Sequence, residues 1–302
     1  MLTHHPSESE SPKPRQAPTS PSRAQPPLPH GALTPCPLSY PARSLARVLL
    51  APLLLVCAAA AYGIAAGALL PRPLYRFAVP PGEPARAACP QGHPLTGPGR
   101  GWLGPARCPR CPRPRAYGLG RGELLFPLVS GACCGGLAAA TGWRPELAAW
   151  LLAVPVGLLL AAVDGWVRRL PDVLTLPLAG ALATLLGVAA LLPAAAGSWP
   201  RALLGGVVLG AVFCVLHLIS PRGMAFGDVK LAPAVGVALG WYGWDALFAG
   251  AFLGFVLSFV WGVTMLVRGR LRRVAGRGTE LPFGPFLLLG GFLAVLAGAL
   301  SV

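Results

Sequence analysis

Residues 147–164 read LAAWLLAVPVGLLLAAVD, seventeen apolar or small residues closed by the carboxylate of Asp164. As a helix this run rises about 25 Å, close to the thickness of a bilayer's hydrocarbon core, so the stretch reads as a membrane span with an acid at its end. Comparable apolar runs occupy 48–70, 124–142, 173–193, 202–219, 229–243, 245–267 and 281–301, the one at 229–243 being short and rich in glycine. The expected fold is therefore an all-α polytopic membrane protein of about eight transmembrane helices.

Composition agrees. Of 302 residues 54% are hydrophobic and only 12% charged, against roughly a quarter charged in a soluble domain, which excludes an ordinary cytosolic globule. The formal charge is +15. In a membrane protein such an excess collects in cytoplasmic loops, so nucleic acid is not an expected partner and the lipid bilayer is. The loops at 71–123, 164–172, 220–230 and 268–280 hold 18 Lys and Arg, whereas those at 143–146 and 194–201 hold one each. The first set is thus expected to be cytoplasmic, with the amino terminus outside.

Three regions follow. Residues 1–46, with 11 prolines and no aliphatic run, read as a disordered tail that lacks the arrangement of a signal peptide. Residues 47–123 hold the first span and a cytoplasmic loop with cysteines, and 124–302 hold the remaining spans.

Five acidic residues lie beyond the start of the third span: Asp164, Asp172, Asp228, Asp245 and Glu280. Carboxylates near a bilayer are costly, and each needs a reason. Asp172 reads more readily as a helix N-cap than as a catalyst, Asp245 as a cap on the outer face, and Glu280 as a boundary residue. Asp164 cannot cap, since it closes a helix at the end where the dipole disfavours an anion. Asp228, opening the sixth span, is ambiguous. Two carboxyls at one membrane depth would share a proton and could activate a water while protonating a departing amide. Lys230 reads either as a grip on a substrate carboxylate or, favoured by its long stem, as snorkelling to the interface, and His217 as a bundle or interface residue.

Three ordered blocks carry a resemblance: Val163-Asp164 followed by Leu170-Pro171-Asp172-Val173-Leu174-Thr175-Leu176-Pro177; Gly227-Asp228-Val229-Lys230-Leu231; and Pro282-Phe283-Gly284-Pro285-Phe286. With them most of residues 63–302 resembles the type IV prepilin peptidases, the prepilin leader peptidase/N-methyltransferase family, relatives of the GxGD membrane aspartic proteases. The resemblance implies an aspartic endopeptidase at the cytoplasmic face of the inner membrane, with Asp164 and Asp228 catalytic and prepilins or pseudopilins of type IV pili or type II secretion as substrates. The family's Gly-x-Gly-Asp reads Ala225-Phe226-Gly227-Asp228 here, a departure that would cost something if position 225 needs positive φ.

The loop at 71–123 contains Cys89-Pro90-Gln91-Gly92-His93 and Cys108-Pro109-Arg110-Cys111. Cys89, His93, Cys108 and Cys111 make up a structural zinc set by residue type, the alternative being a degenerate loop with no metal. A disulfide does not suit a loop facing a reducing cytosol. The resemblance also implies methylation of the new amino terminus with S-adenosylmethionine. In that half the chain departs three times from the family: Pro71 stands where Asn is expected, the block at 126–130 ends in Ser130 rather than Glu, and the first cysteine pair is one residue short.

Two rival expectations remain: an inactive pilin-binding assembly protein, and a proton-coupled transporter, which intramembrane acids also serve. A carrier would be expected to show internal repeats and an acid at the midplane, and neither is evident.

Overall fold

The computed structural model describes residues 42–80, 82–111, 122–221, 223–268 and 282–302, and those from Arg43 onward form one compact unit. The described residues fold into ten helices: α1 (Ala42–Leu69), α2 (Pro71–Phe77), the single turn α3 (Pro98–Gly101), α4 (Gly122–Thr141), α5 (Leu147–Val167), α6 (Asp172–Ala190), α7 (Trp199–Ile219), α8 (Phe226–Tyr242), α9 (Trp244–Val267) and α10 (Gly284–Leu300). Each of the eight expected spans coincides with a helix. The first begins earlier than expected, at Ala42. Most of the tail and Glu280 lie outside the described residues.

Among the described residues, six helices are long and apolar enough to cross a membrane. The other two expected spans are shorter. α10 is apolar but has 17 residues, and α8 has 17 with Asp228 and Lys230 in its first turns. Burial accounts for α8: it packs on α6, α7, α9 and α10 and buries Leu231, Ala234, Val237, Leu239 and Trp241 around its circumference. A helix enclosed by other helices needs neither a polar face nor a full lipid-spanning length. The outer helices instead turn large apolar side chains outward, including Leu53 on α1, Val207 on α7 and Phe252 and Phe259 on α9, as a bilayer solvent allows. The chain is a polytopic membrane protein.

Glycines let the helices approach. Where α7 meets α8, a Cβ on Gly205 would lie 2.6 Å from the Gly236 carbonyl oxygen and 3.0 Å from the Gly240 Cα. On α9 and α10, a Cβ on Gly254 would meet the Leu287 Cα at 3.0 Å, and one on Gly290 the Gly250 carbonyl at 2.5 Å. On α1, Gly63 faces the Ser130 carbonyl of α4 at 2.5 Å. These are small-residue seams, in which dispersion contacts between backbones replace the hydrophobic driving force that lipid removes.

The α7–α8 seam positions Asp228, because the two backbones touch there. Gly205→Val should cost about 3 kcal/mol or more through overpacking against backbone. Thermal unfolding in detergent should show a lowered midpoint, with Gly205→Ala intermediate between the wild type and the valine variant.

Candidate active site

Asp164 lies in the last turn of α5 and Asp228 in the first turn of α8, 4% and 2% exposed. The point they share is Gly284, the first residue of α10. A methyl on its Cα would lie 2.8 Å from Asp164 Oδ2 and 3.5 Å from Asp228 Oδ1, so the two carboxyls face one another across the glycine. The Gly284 amide donates to Asp164 Oδ2 at 3.1 Å. That amide is one of the free donors at a helix start, and Pro285 behind it has no N–H to satisfy. Asp228 Oδ1 is buried and has no hydrogen-bond partner among the described residues. The three quoted blocks, far apart in sequence, therefore meet at one place.

Local backbone explains two small residues. Ala225 is the N-cap of α8 with φ −69 and ψ 143, an extended conformation open to any residue, so alanine there carries no backbone strain. Gly227 is small for a different reason: a Cβ on it would lie 3.1 Å from the Cβ of Leu170, which packs on the start of α8.

Three expectations about polar residues need correction. Asp172 is not a cap: Pro171 takes the N-cap position of α6, no side chain caps it, and the Asp172 carboxylate pairs with Lys230 Nζ at 2.7 Å through both oxygens. Neither reading of Lys230 foresaw that partner, nor the ring of Phe226 at 4.7 Å from its ammonium. Asp245 is not a cap either, since Gly243 fills that position and Asp245 sits in the first turn of α9, where the dipole favours an anion. His217 does serve the bundle, its Nδ1 donating to the Met224 carbonyl at 2.9 Å and so closing the connection from α7 to α8.

The four cysteine-loop residues come together. Cys89 Sγ lies 3.6 Å from His93 Nδ1 and 3.8 Å from Cys111 Sγ, Cys111 Sγ lies 3.5 Å from His93 Nδ1, and one ligand atom from each of the four, Cys108 included, falls within 4.8 Å of the others. Tetrahedral zinc, with bonds of about 2.3 Å to sulfur and about 2.0 Å to nitrogen, requires sulfur–sulfur and sulfur–nitrogen separations of roughly 3.8 and 3.5 Å, so donor set and spacing both fit. Burial and hydrogen bonds with Cys108 and Cys89 push the Cys111 thiol up to about 12, as expected of crowded thiols whose charge nothing offsets. The missing residue of the first pair matters little. Gly92, at φ +83, closes a tight turn in which the Cys89 amide donates to the His93 carbonyl at 2.9 Å, and this turn brings the imidazole where a second cysteine would be.

Two buried arginines that sequence reasoning passed over hold this loop. Arg72 of α2 donates to the carbonyls of Thr96 (2.8 Å), Leu103 (3.3 Å) and Pro105 (3.2 Å), while Arg76, one turn later, donates to Gly101 and lies 3.9 Å over the Trp102 ring. The visible signal was two arginines four apart on one face of a short helix. The opposite face of α2 packs Leu70 and Leu74 against Leu159 and Val163 of α5, beside Asp164.

Residues 147–267 match the model of the type IV leader peptidase family. A prepilin leader peptidase/N-methyltransferase of Aeromonas hydrophila is 34% identical over 236 residues, 75% of this chain and 74% of that protein. One from Burkholderia pseudomallei is 34% identical over 243 residues, 74% and 69% of the two chains, and one from Pseudomonas aeruginosa 34% over 183 residues, 60% of each. No solved structure matches the chain.

Proposed function

The chain belongs to the type IV leader peptidase family, and we propose that it is a membrane aspartic endopeptidase that cleaves the leader from type IV prepilin-like proteins at the cytoplasmic face of the inner membrane. The observation that carries this reading is the meeting of two buried carboxyls, Asp164 and Asp228, at Gly284.

In the proposed reaction the pair holds one proton between its two carboxyls, because two buried like charges side by side are costly. The charged member takes a proton from a water as that water attacks the scissile carbonyl carbon. The neutral member gives its proton to the carbonyl oxygen and, as the tetrahedral species collapses, a proton passes to the departing amine. Each product carries one end of the broken peptide bond, and no covalent enzyme intermediate forms. Gly284 serves twice, its amide fixing one Asp164 oxygen and its bare Cα leaving room for the second carboxyl. The favoured loop orientation from the Lys and Arg count places the pair on the cytoplasmic side, where a leader ahead of a membrane-spanning pilin helix would present its cleavage site.

Cys89, His93, Cys108 and Cys111 would hold a structural zinc, which supplies folding energy to a small loop rather than chemistry, since all four positions are protein ligands. Methylation of the new amino terminus is the second activity in the relatives' name, and the departures at Pro71 and Ser130 weigh against it here.

Co-expression with a prepilin from the same genome tests the main reading by the pilin's mass. Wild type should remove the leader, while Asp164→Asn and Asp228→Asn should lower the cleavage rate by about 1,000-fold or more while remaining in the membrane. Uncut pilin with the wild type would favour a binding protein without activity. A further gain of about 14 Da on the cut pilin, one methylene, would report methylation. Gly284→Ala, which crowds both carboxyls, should lower the turnover rate by about 100-fold or more with little change in expression. Purified protein should contain one zinc per chain by elemental mass spectrometry, and Cys111→Ser should lose most of it.

A further inference from the structure

Asp172 and Lys230 lie outside the catalytic pair yet are each tied to one member of it. Asp172 begins α6, directly after the turn 168–171 that leaves Asp164, and Lys230 follows Asp228 by two residues on α8. Their side chains meet in a two-oxygen ion pair at 2.7 Å, with the ammonium also 4.7 Å from the Phe226 ring. Beneath that pair, Leu170, 5% exposed, rests against Gly227, where a Cβ would find only 3.1 Å. The turn itself contains Arg168 at φ 52, a left-handed conformation that a non-glycine residue keeps only when its surroundings hold it.

Resting on the peptidase reading above, we propose that the Asp172–Lys230 ion pair is a positioning latch, clamping the turn behind Asp164 to the first turns of α8 so that the two catalytic carboxyls stay in register. The side chains are 57% and 25% exposed. So open a pair adds little to the stability of the fold, and the bias it gives to the aligned arrangement of the two carboxyls is about fivefold at most. It acts at a site where a displacement of about 1 Å costs roughly 100-fold in rate.

Cleavage kinetics on a synthetic prepilin peptide in detergent micelles test this with wild type, Asp172→Ala, Lys230→Met and the exchanged double variant Asp172→Lys with Lys230→Asp. The single variants should lose about threefold to fivefold in kcat, with KM within about twofold and the thermal midpoint unchanged, and the exchanged variant should recover most of the loss. Unchanged kcat in the single variants, no recovery on exchange, or a rise in KM alone, which would make Lys230 a substrate contact, each overturns the latch. A second measurement needs no activity. Cysteines replacing Asp164 and Asp228 are cross-linked with a short bifunctional thiol reagent and the linked peptide is identified by mass spectrometry. The yield should fall several-fold in the Asp172→Ala and Lys230→Met backgrounds and return on exchange; an unchanged yield would overturn the latch. Wild type that leaves the peptide uncut defeats the peptidase reading instead, and the cross-linking yields then judge the latch alone.

Discussion

Two carboxyl groups buried side by side are the constraint around which this protein is organised. Each is almost wholly buried; the Gly284 amide donates to Asp164 Oδ2, while Asp228 Oδ1 has no hydrogen-bond partner among the described residues. Such an arrangement is expensive in any protein and persists only where the surrounding scaffold is too rigid to let the groups separate. Rigidity here comes from shape rather than polar bonding. α8 packs on four other helices, and the backbones of α7 and α8 touch through Gly205, Gly236 and Gly240. An equivalent seam between α9 and α10, through Gly254 and Gly290, sets the height at which Gly284 begins α10.

The Asp164 side of the site is held differently. The turn from α5 to α6 has no glycine, places Arg168 in a left-handed conformation, and leans on α8 through Leu170 and the Asp172–Lys230 pair. On its other flank α5 packs against α2, whose two arginines carry the cysteine loop by donating to its carbonyls. The loop and the carboxyl pair thus share α5 as a common wall. Zinc binding at the cysteines would stiffen a module one helix away from the site without touching the reacting atoms.

How much was legible beforehand depends on the range of the interaction. A helix stands at each of the eight expected spans, because apolar run length is a local property of the chain, and Asp164 and Asp228 come together as the resemblance implied. The four proposed metal ligands were also named from residue type, and the structure brings them together. The cap readings of Asp172 and Asp245 failed because a cap was inferred from one helix's own sequence. The true N-cap positions belong to Pro171 and Gly243, and the partner of Asp172 sits 58 residues away. The shortness of α8 was likewise unreadable as enclosure, since a run of apolar residues looks the same whether lipid or protein surrounds it.

Hydrophobic run length, charge asymmetry between loops and three short motifs were enough to determine that this chain spans a membrane many times and carries two acids of one site. The first follows from transfer free energies, which need no third dimension, and the second from the resemblance that those motifs carry. Only the tertiary structure decided that Gly284 stands between those acids, that Ala225 is unstrained, and that Lys230 belongs to Asp172. Those facts depend on which helix backbones approach within van der Waals distance, and in a bundle sealed by glycine the approach is set by the absence of side chains, a feature whose partner no single stretch of sequence can name.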